Sequence, residues 1–243
     1  MLEKHTIFDD GSTDRAKSVE HRVTDLREAV RDKNRVNVYI DDKFFCSLDI
    51  SQVVDLHIKI ARSLTSEELA GLKRASEFSK FYARALEYVL MRPRSEKELR
   101  DYLRGKTYER KVRVKSRKTG EYQTKIKPGY DASLVPLVMQ RLEERGYIDD
   151  RRFAAVWVEN RHVAKGTSIK KLRLELKQKG IASQIIDEVL SDSNRDERAE
   201  LQKIIARKRA RYDDEQKFIQ YLLRQGFNYS DIVDELAVDS SSV

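Results

Sequence analysis

The stretch of the sequence best suited to chemistry is a run of cationic side chains in its middle third. Residues 104–127 contain ten Lys or Arg and only two Glu. Val112 and Val114 alternate with cations, an RKTG segment follows, and YQTKIK then alternates in the same way. A period of two around a glycine-containing turn predicts a β-hairpin. A basic hairpin is suited to contact with a phosphate backbone or an acidic protein groove; the alternative is a solvated insertion.

These cations, and a second group in the helical segment that follows, form the predicted binding set. Basic contacts act collectively and each is worth little alone, so no single residue is singled out. The set is Arg104, Lys106, Arg110, Lys111, Arg113, Lys115, Arg117, Lys118, Lys125 and Lys127, then Arg151, Arg152, Lys165, Lys170, Lys171 and Arg173.

The sequence contains few of the motifs that are typical of catalytic sites. It has no Gly-rich phosphate loop and no His-x-x-x-His or Cys-x-x-Cys spacing, and its four histidines are scattered. The single cysteine, Cys46, lies in an apolar, β-like stretch, which favours a buried side chain over a nucleophile. We therefore predict a protein that is not an enzyme and that needs no metal or cofactor. One cysteine also favours a reducing, cytoplasmic location.

Composition and charge place these cations in a helix-rich chain. Charged residues make up 37% of the sequence, with nine Gly and three Pro, as is typical of helices with charged outer faces. Residues 81–127 carry 15 Lys or Arg against six Asp or Glu, whereas residues 181–243 carry nine against 13. This asymmetry favours one basic face. The apolar runs are too short for a signal peptide or a membrane span, so we expect no membrane contact.

The N-terminal third reads as a small β appendage. Residues 1–20 are polar and are predicted to be disordered. Two or three short β-like runs follow, at His21–Leu26, Arg35–Ile40 and Lys43–Ile50, the last two joined by an Asp41-Asp42 turn. Helical signals begin with SQVVDLHIKIA, and a capping box at Thr65-x-x-Glu68 opens a further helix. Residues 21–80 are thus predicted to form a β-strand plus helix extension.

From Phe81 onwards the chain repeats a unit of three helices. The predicted repeats span 81–148, with the hairpin inserted at 106–129, then 149–192, and 193–243 with the C-terminal tail. The second helix of each unit is predicted to open at a capping residue and to stop at a glycine. The capping residues are Ser95, Ser168 and the Asp213/Asp214 pair, and the glycines are Gly105, Gly180 and Gly226.

The GYIDD motif at 146–150 has two interpretations. As structure, Gly146 ends a helix, Tyr147 and Ile148 pack inwards, and one of the two aspartates caps the next helix. As chemistry, the adjacent carboxylates form a metal or acid/base pair. A helix start three residues after a glycine stop favours capping. Trp157, at helical spacing from Phe153, is predicted to lie in the core, the alternative being an exposed ring that stacks on bases.

With these pieces placed, the sequence resembles the RecX family of RecA modulators. Three segments carry the resemblance: RLEERGYIDDRRFA (141–154), ALEYVLMRPRSEKELRDYL (85–103), and RVNVYIDDKFFCSLD (35–49) followed by LTSEEL (64–69). The resemblance covers about residues 22–237. The insertion at 106–129 departs from the family pattern, in which a short turn joins the second helix to the third.

The resemblance implies a fold and a function. The fold is mainly α, with tandem three-helix repeats in an elongated curved body, a small N-terminal β appendage and, here, an inserted basic β-hairpin. The function is to bind the RecA filament and to modulate, mostly to restrain, its ATPase and strand exchange in recombination and DNA repair. Single-stranded DNA is a further implied partner. We expect a monomer whose concave face and hairpin dock along a RecA–DNA filament.

Two other functions are open at this point. Residues 168–190 resemble a helix-turn-helix, which would make the protein a sequence-specific DNA binder. However, ASQIIDEVL carries acids and no Arg or Asn to read bases. A protein-interaction scaffold without nucleic-acid contact would explain the repeats but not the basic middle third. Neither alternative requires an enzyme.

Overall fold

A computed structural model describes residues 20–30, 32–116, 120–161 and 165–240. Within these residues the chain is mainly helical, with a small N-terminal β-sheet, as the sequence predicts. It divides into two compact units, one ending at Lys80 and one beginning at Phe81. The predicted disordered segment 1–20 lies, except for Glu20, outside the described residues.

The first unit is built on a four-stranded antiparallel sheet. Its strands are β1 (His21–Ala29), β2 (Asp32–Ile40), β3 (Lys43–Asp49) and β4 (Ser63–Leu64), in the order β3-β2-β1-β4. Asp41 and Asp42 both have positive φ, 49° and 62°, so the predicted turn forms without glycine. The fourth strand was not predicted, because two residues are too few to show a periodicity.

Two helices complete this region. Helix α1 (Ile50–Asp55) covers only the start of the predicted helical segment. The rest of that prediction was wrong, because His57 and Ala61 take left-handed φ values of 51° and 69° and turn the chain into β4. Helix α2 (Ser66–Leu90) opens at the predicted capping box: the Thr65 N–H donates to Glu68 and the Glu68 N–H donates to Thr65 Oγ1.

The second unit contains the three helical repeats. After the C-terminal part of α2 come α3 (Glu96–Thr107), β5 (Arg110–Lys115), β6 (Tyr122–Lys127) and α4 (Leu134–Glu144). The second repeat is α5 (Asp150–Asn160), α6 (Ile169–Gln178) and α7 (Ser183–Asp192). The third is α8 (Glu197–Lys208), a 3-10 turn (Arg209–Arg211), α9 (Glu215–Arg224) and α10 (Tyr229–Ser240). No helix in the described ranges has the length and apolarity that a membrane span needs.

The predicted helix starts are confirmed at their caps. Ser95, Ser168 and Asp214 each accept a hydrogen bond from a backbone N–H in the first turn of α3, α6 and α9. Asp149 caps α5 by accepting from the Arg152 N–H at 2.8 Å. Short polar side chains with an acceptor oxygen are therefore what fix where these helices begin.

Two details of the repeat prediction were wrong. Gly105 does not stop α3, which runs on to Thr107, because Gly105 keeps an ordinary helical φ and the chain leaves the helix through an extended Tyr108. Gly180 and Gly226 do end their helices with φ of 86° and 97°. Tyr147 does not pack inwards. It is 40% exposed and lies in a surface cleft beside Gly146.

Successive repeats are joined by the same contacts. Ser95 Oγ donates to the Lys179 carbonyl at 2.7 Å, and Ser168 Oγ donates to the Gln225 carbonyl at 2.7 Å. Each links the start of one second helix to the end of the next repeat's second helix. An acid in the following repeat also accepts from the first N–H of that helix: Asp150 at α3 and Glu197 at α6.

Candidate polyanion-binding surface

The cations of the middle third lie on two paired strands. β5 and β6 are antiparallel, with Arg110 opposite Lys127, Val112 opposite Lys125, and Lys115 opposite Tyr122. Residues opposite each other share a face. One face therefore carries Arg110, Lys125 and Lys127, and the other carries Lys111, Arg113 and Lys115. We call this strand pair the basic arm.

The register also explains why the basic arm has no apolar face. Val112 and Val114 share their face with Lys125 and Gln123, whereas Tyr122 and Ile126 share theirs with Lys111, Arg113 and Lys115. Every residue of β6 is exposed. Both faces of the arm are therefore available to a partner.

The base of the arm is held against the helical unit. A Cβ at Gly129 would lie 1.9 Å from the Thr107 carbonyl oxygen, so only glycine allows this close approach of the two ends. The Tyr130 N–H donates to the Lys106 carbonyl at 3.1 Å, and the Tyr130 ring stacks on buried Phe81 with centroids 4.4 Å apart. The arm thus leaves a fixed point at the end of α3.

No carboxylate of the described residues neutralises the arm's cations. Among the described residues, none of its six cations on β5 and β6 forms an ion pair. Arg113 lies over the Tyr122 ring, 5.3 Å from its centroid. Burial, together with Arg110 and Arg84, lowers the pKa of Lys106, as expected where cations are crowded. Arg117 and Lys118 lie outside the described residues.

A cation–aromatic stack continues from the arm along the first repeat. Lys106 Nζ lies 4.6 Å from the Tyr102 ring centroid, Tyr102 stacks on Tyr88 at 3.8 Å, and Arg94 lies 3.9 Å over Tyr88. The rings face each other at an interplanar angle of 3°. The stack holds Lys106 and Arg94 in place through cation–π attraction while the two rings cover one another.

The predicted cations of the second repeat differ in their surroundings. Arg151 pairs with Glu188 at 2.6 Å and Asp192 at 3.1 Å, and Arg173 pairs with Asp187. Lys171 donates to the Gln225 amide oxygen. Partners within the chain thus occupy these three, whereas Arg152, Lys165 and Lys170 are exposed. Arg104 is also exposed, on α3.

The same ion pairs bear on the helix-turn-helix alternative. Asp187 and Glu188, on α7, are paired to Arg173 and Arg151. The inner face of α7 is buried through Ile186, Val189 and Leu190. The helix thus presents packed apolar residues on one side and engaged carboxylates on the other, and neither reads a base edge.

The two aspartates of the GYIDD motif are held by structural contacts. Asp149 caps α5, and Asp150 accepts the Glu96 N–H at 2.8 Å. Burial is the main cause that raises the pKa of Asp150. In the described part of the chain, no group of three or more His, Cys, Asp or Glu side chains is placed to hold a metal ion. Cys46 is 4% exposed, and burial raises its thiol pKa.

Sequence reasoning missed a cluster of arginines around one cleft. Arg92 and Arg94, in the turn between α2 and α3, lie with Arg145 and Arg152 around a cleft of about 430 Å³. Arg92, Arg94 and Arg145 were not in the predicted set. The sequence does show two basic signals, the RPR segment at 92–94 and the Arg before Gly146. Only the fold brings them together.

Comparisons with known proteins agree with this architecture. A family model described as the regulatory protein RecX N-terminal domain matches residues 21–65, and one described as RecX, second three-helix domain, matches residues 149–190. A curated protein of Bacillus licheniformis named regulatory protein RecX is 25% identical over 85% of this chain and 73% of its own length. One of Clostridium botulinum with that name is 26% identical over 88% and 93%.

A solved structure has the same fold. It is described as the crystal structure of regulatory protein RecX, and it superposes with a TM-score of 0.65 over 87% of this chain and 96% of its own, at 21% identity. The match extends across most of both chains and so covers more than either family model alone.

Proposed function

This chain belongs to the RecX family, and on that premise we propose that it regulates homologous recombination by binding RecA or the RecA–DNA filament. In this proposal it modulates, and in the main inhibits, RecA's ATPase and strand exchange. It acts as a cytoplasmic monomer, without catalysis of its own and without a cofactor. The curated relatives are named regulatory proteins, which fits a binding role.

The observation that carries the proposal is the charge of the basic arm. Its six described cations have no carboxylate partner within the described chain and stand on a strand pair without an apolar face. Cations on both faces suit an arm inserted between anionic surfaces, as in the groove of a filament that holds DNA. Arg104 and Lys106 at its base and Arg152, Lys165 and Lys170 on the second repeat extend the contact in our proposal.

A chain bound by this surface restrains the filament because of where it lies, against more than one subunit. A chain that contacts neighbouring RecA subunits opposes the subunit movements that accompany ATP turnover and filament growth. Release of counterions from single-stranded DNA or from acidic protein surfaces supplies the free energy, so binding weakens as salt rises. Arg151 and Arg173, paired within the chain, contribute less in this proposal.

A DNA-binding protein without RecA contact is the second candidate function. The same unpaired cations favour it over a scaffold that avoids nucleic acid. It predicts tight binding to single-stranded DNA alone and no effect on RecA beyond competition for DNA.

The test is RecA's DNA-dependent ATPase, titrated with the full chain and two charge variants. The first variant replaces the six described arm cations with Gln. The matched control replaces six exposed cations that have no ion pair in the described residues, which are Lys59, Lys73, Lys177, Arg207, Arg211 and Arg224.

We expect the full chain and the control to lower the ATPase at substoichiometric amounts, and the arm variant to need a much higher concentration. Equal activity of all three would remove the arm from the contact. No effect of the full chain at amounts that saturate the DNA would contradict RecA modulation and leave DNA binding alone.

A further inference from the structure

Two clefts on the second unit adjoin and share three lining residues. The first, of about 460 Å³, is lined by Pro93, Phe153, Val156 and Trp157 together with cations. The second, of about 430 Å³, contains the arginine cluster. They share Arg92, Pro93 and Phe153, and so meet at the turn between α2 and α3. We call them the apolar half and the basic half of the Trp157 groove.

The cations of the apolar half are already engaged by contacts within the chain. Trp157 Nε1 donates to Glu175, which also binds Arg161 through two hydrogen bonds of 2.7 and 3.2 Å. Arg161 and Lys179 lie over the Trp157 ring, 4.8 and 5.1 Å from its centroid. Cations therefore occupy the ring face that a nucleobase would need for stacking.

Glu98 holds the remaining cations of this half. It accepts from Arg92 at 3.0 Å and from Lys179 at 2.5 Å. What is left open to a ligand is the apolar lining of Pro93, Phe153 and Val156 beside the covered indole ring. Such a surface binds an aliphatic or aromatic side chain.

In the basic half, by contrast, the cations lack carboxylate partners within the described residues. Arg94, Arg145 and Arg152 form no ion pair within the described residues, and the nearby Asp149 is engaged as the cap of α5. Arg94 lies 3.9 Å over Tyr88 and Arg145 lies 5.9 Å over Tyr82, so the aromatic rings orient both guanidinium groups. The buried Nε of Arg94 has no hydrogen-bond partner in the described chain.

We propose that the Trp157 groove binds a short acidic peptide segment of a protein partner. An apolar side chain of that segment fills the half lined by Trp157, and the carboxylates beside it bind Arg94, Arg145 and Arg152. Guanidinium groups are suited to carboxylates because they offer paired donors in a fixed plane.

The groove favours a peptide over nucleic acid for two reasons. A nucleic-acid backbone places charge along its whole length, whereas the unpaired cations lie in one half only. The ring that would stack a base is covered by Arg161 and Lys179. The inference goes beyond the proposed function, since the groove contains no residue of the basic arm, shares only Arg152 with the contact proposed above, and is tested without RecA or DNA.

The sole tryptophan gives a direct readout, because Trp157 is the only one in the chain. The probe is acetyl-Phe-Leu-Asp-Glu-Asp-Glu-amide, titrated while Trp157 fluorescence is recorded, with calorimetry as a second measurement. The controls are the same peptide with Asn and Gln in place of its acids, and an oligothymidylate.

Three variants locate the binding. R94Q/R145Q/R152Q removes the unpaired guanidinium groups, and R207Q/R211Q/R224Q removes three exposed arginines elsewhere as the matched control. Arg152→Gln alone changes an exposed residue and keeps the test valid if the triple variant fails to fold. Val156→Tyr fills the apolar half.

We expect the acidic peptide to change Trp157 fluorescence saturably and the neutral peptide to bind about tenfold more weakly or worse, as loss of charged contacts predicts. The groove variants lose binding and the control triple keeps it. Equal binding of acidic and neutral peptides, or unchanged binding by R152Q and the folded triple, would overturn the proposal. So would an oligothymidylate that changes Trp157 fluorescence saturably while the acidic peptide does not.

Discussion

Ser95 Oγ donates a hydrogen bond to the main-chain carbonyl of Lys179, 2.7 Å away and 84 residues further along the chain. The same oxygen accepts from the Glu98 N–H at 3.2 Å, so one hydroxyl caps α3 and joins it to the next repeat. Ser168 does both for the following interface. A hydroxyl is needed, because a carboxylate cap has no proton to donate.

Replacing Ser95 separates these two roles. Ser95→Ala removes both the helix cap and the hydrogen bond to the Lys179 carbonyl. It should lower the free energy of unfolding by about 2 kcal/mol, roughly the sum of a cap and a buried hydrogen bond. Ser95→Asp keeps the cap acceptor but sets a carboxylate against a carbonyl, and should be no better. The measurement is urea unfolding followed by Trp157 fluorescence.

The control is Ser183→Ala, at an exposed site at the start of α7 where no side chain caps the helix. An equal shift of the urea midpoint in this variant would contradict the two roles assigned to Ser95.

The glycines make a second prediction, because their environments differ. Gly105 lies in a helix, and nothing lies within 4 Å of an added Cβ, so Gly105→Ala should stabilise by about 0.5–1 kcal/mol. Gly180 has φ of 86° and its Cβ would lie 2.7 Å from Lys97 Cβ, so Gly180→Ala should destabilise by about 2 kcal/mol or more.

Gly146 is the matched control for that series. Its φ is 71°, but an added Cβ would again meet nothing within 4 Å. Gly146→Ala should therefore show only the backbone cost of about 1 kcal/mol. Thermal unfolding of the three variants gives the order; a stability loss at Gly105 equal to that at Gly180 would mean that both glycines stop their helices.

The contribution of Glu98 to folding stability should depend on pH. Burial opposes its ionisation, but hydrogen bonds from Arg92 and Lys179 outweigh burial and hold its pKa below the usual range. A depressed carboxyl pKa stabilises the fold above the unfolded value of about 4.3, and that stability is lost as pH falls through the folded pKa. Glu98→Gln should thus cost about 1 kcal/mol at neutral pH and little in acid.

The control for Glu98 is Glu96, a neighbouring acid whose ion pair is more exposed to solvent. Glu96 pairs with Arg100 one turn away, and both side chains are 48% exposed. Glu96→Gln should change the urea midpoint little at any pH. A loss for Glu98→Gln that persists unchanged in acid would show that the ion pair is not its cause.

Local signals in the sequence were enough for much of this fold. The caps at Ser95 and Ser168 and the left-handed ends at Gly180 and Gly226 follow from residue type and the three-helix period. The same signal misled at Gly105, because a glycine permits a left-handed turn but does not require one. The choice depended on the exit into β5, which lies outside the helix pattern.

Contacts distant in sequence could not be predicted in this way. That Ser95 donates as well as accepts depends on a carbonyl 84 residues away. Arg151 looked available until folding placed Glu188 and Asp192 beside it. In the Trp157 groove, Arg94, Arg145 and Arg152 come from three separate segments, and no spacing in the sequence connects them.

The two faces of the basic arm differ in how exposed their cations are. Lys111, Arg113 and Lys115 are all exposed on one face, whereas Arg110 on the other is half-buried with its Nε unpartnered in the described chain. We therefore expect the first face to make more phosphate contacts than the second. K111Q/R113Q/K115Q should reduce the slope of log binding constant against log salt for single-stranded DNA by about 2, since each phosphate contact contributes about 0.7. R110Q/K125Q/K127Q, with the same change in net charge, should reduce the slope by only about 1.4, because Lys125 and Lys127 are exposed but Arg110 is not. Fluorescence anisotropy of a labelled oligonucleotide over a salt series measures both. Equal reductions would show that the arm acts only through its total charge, and the reverse order would place the contact on the face of Arg110.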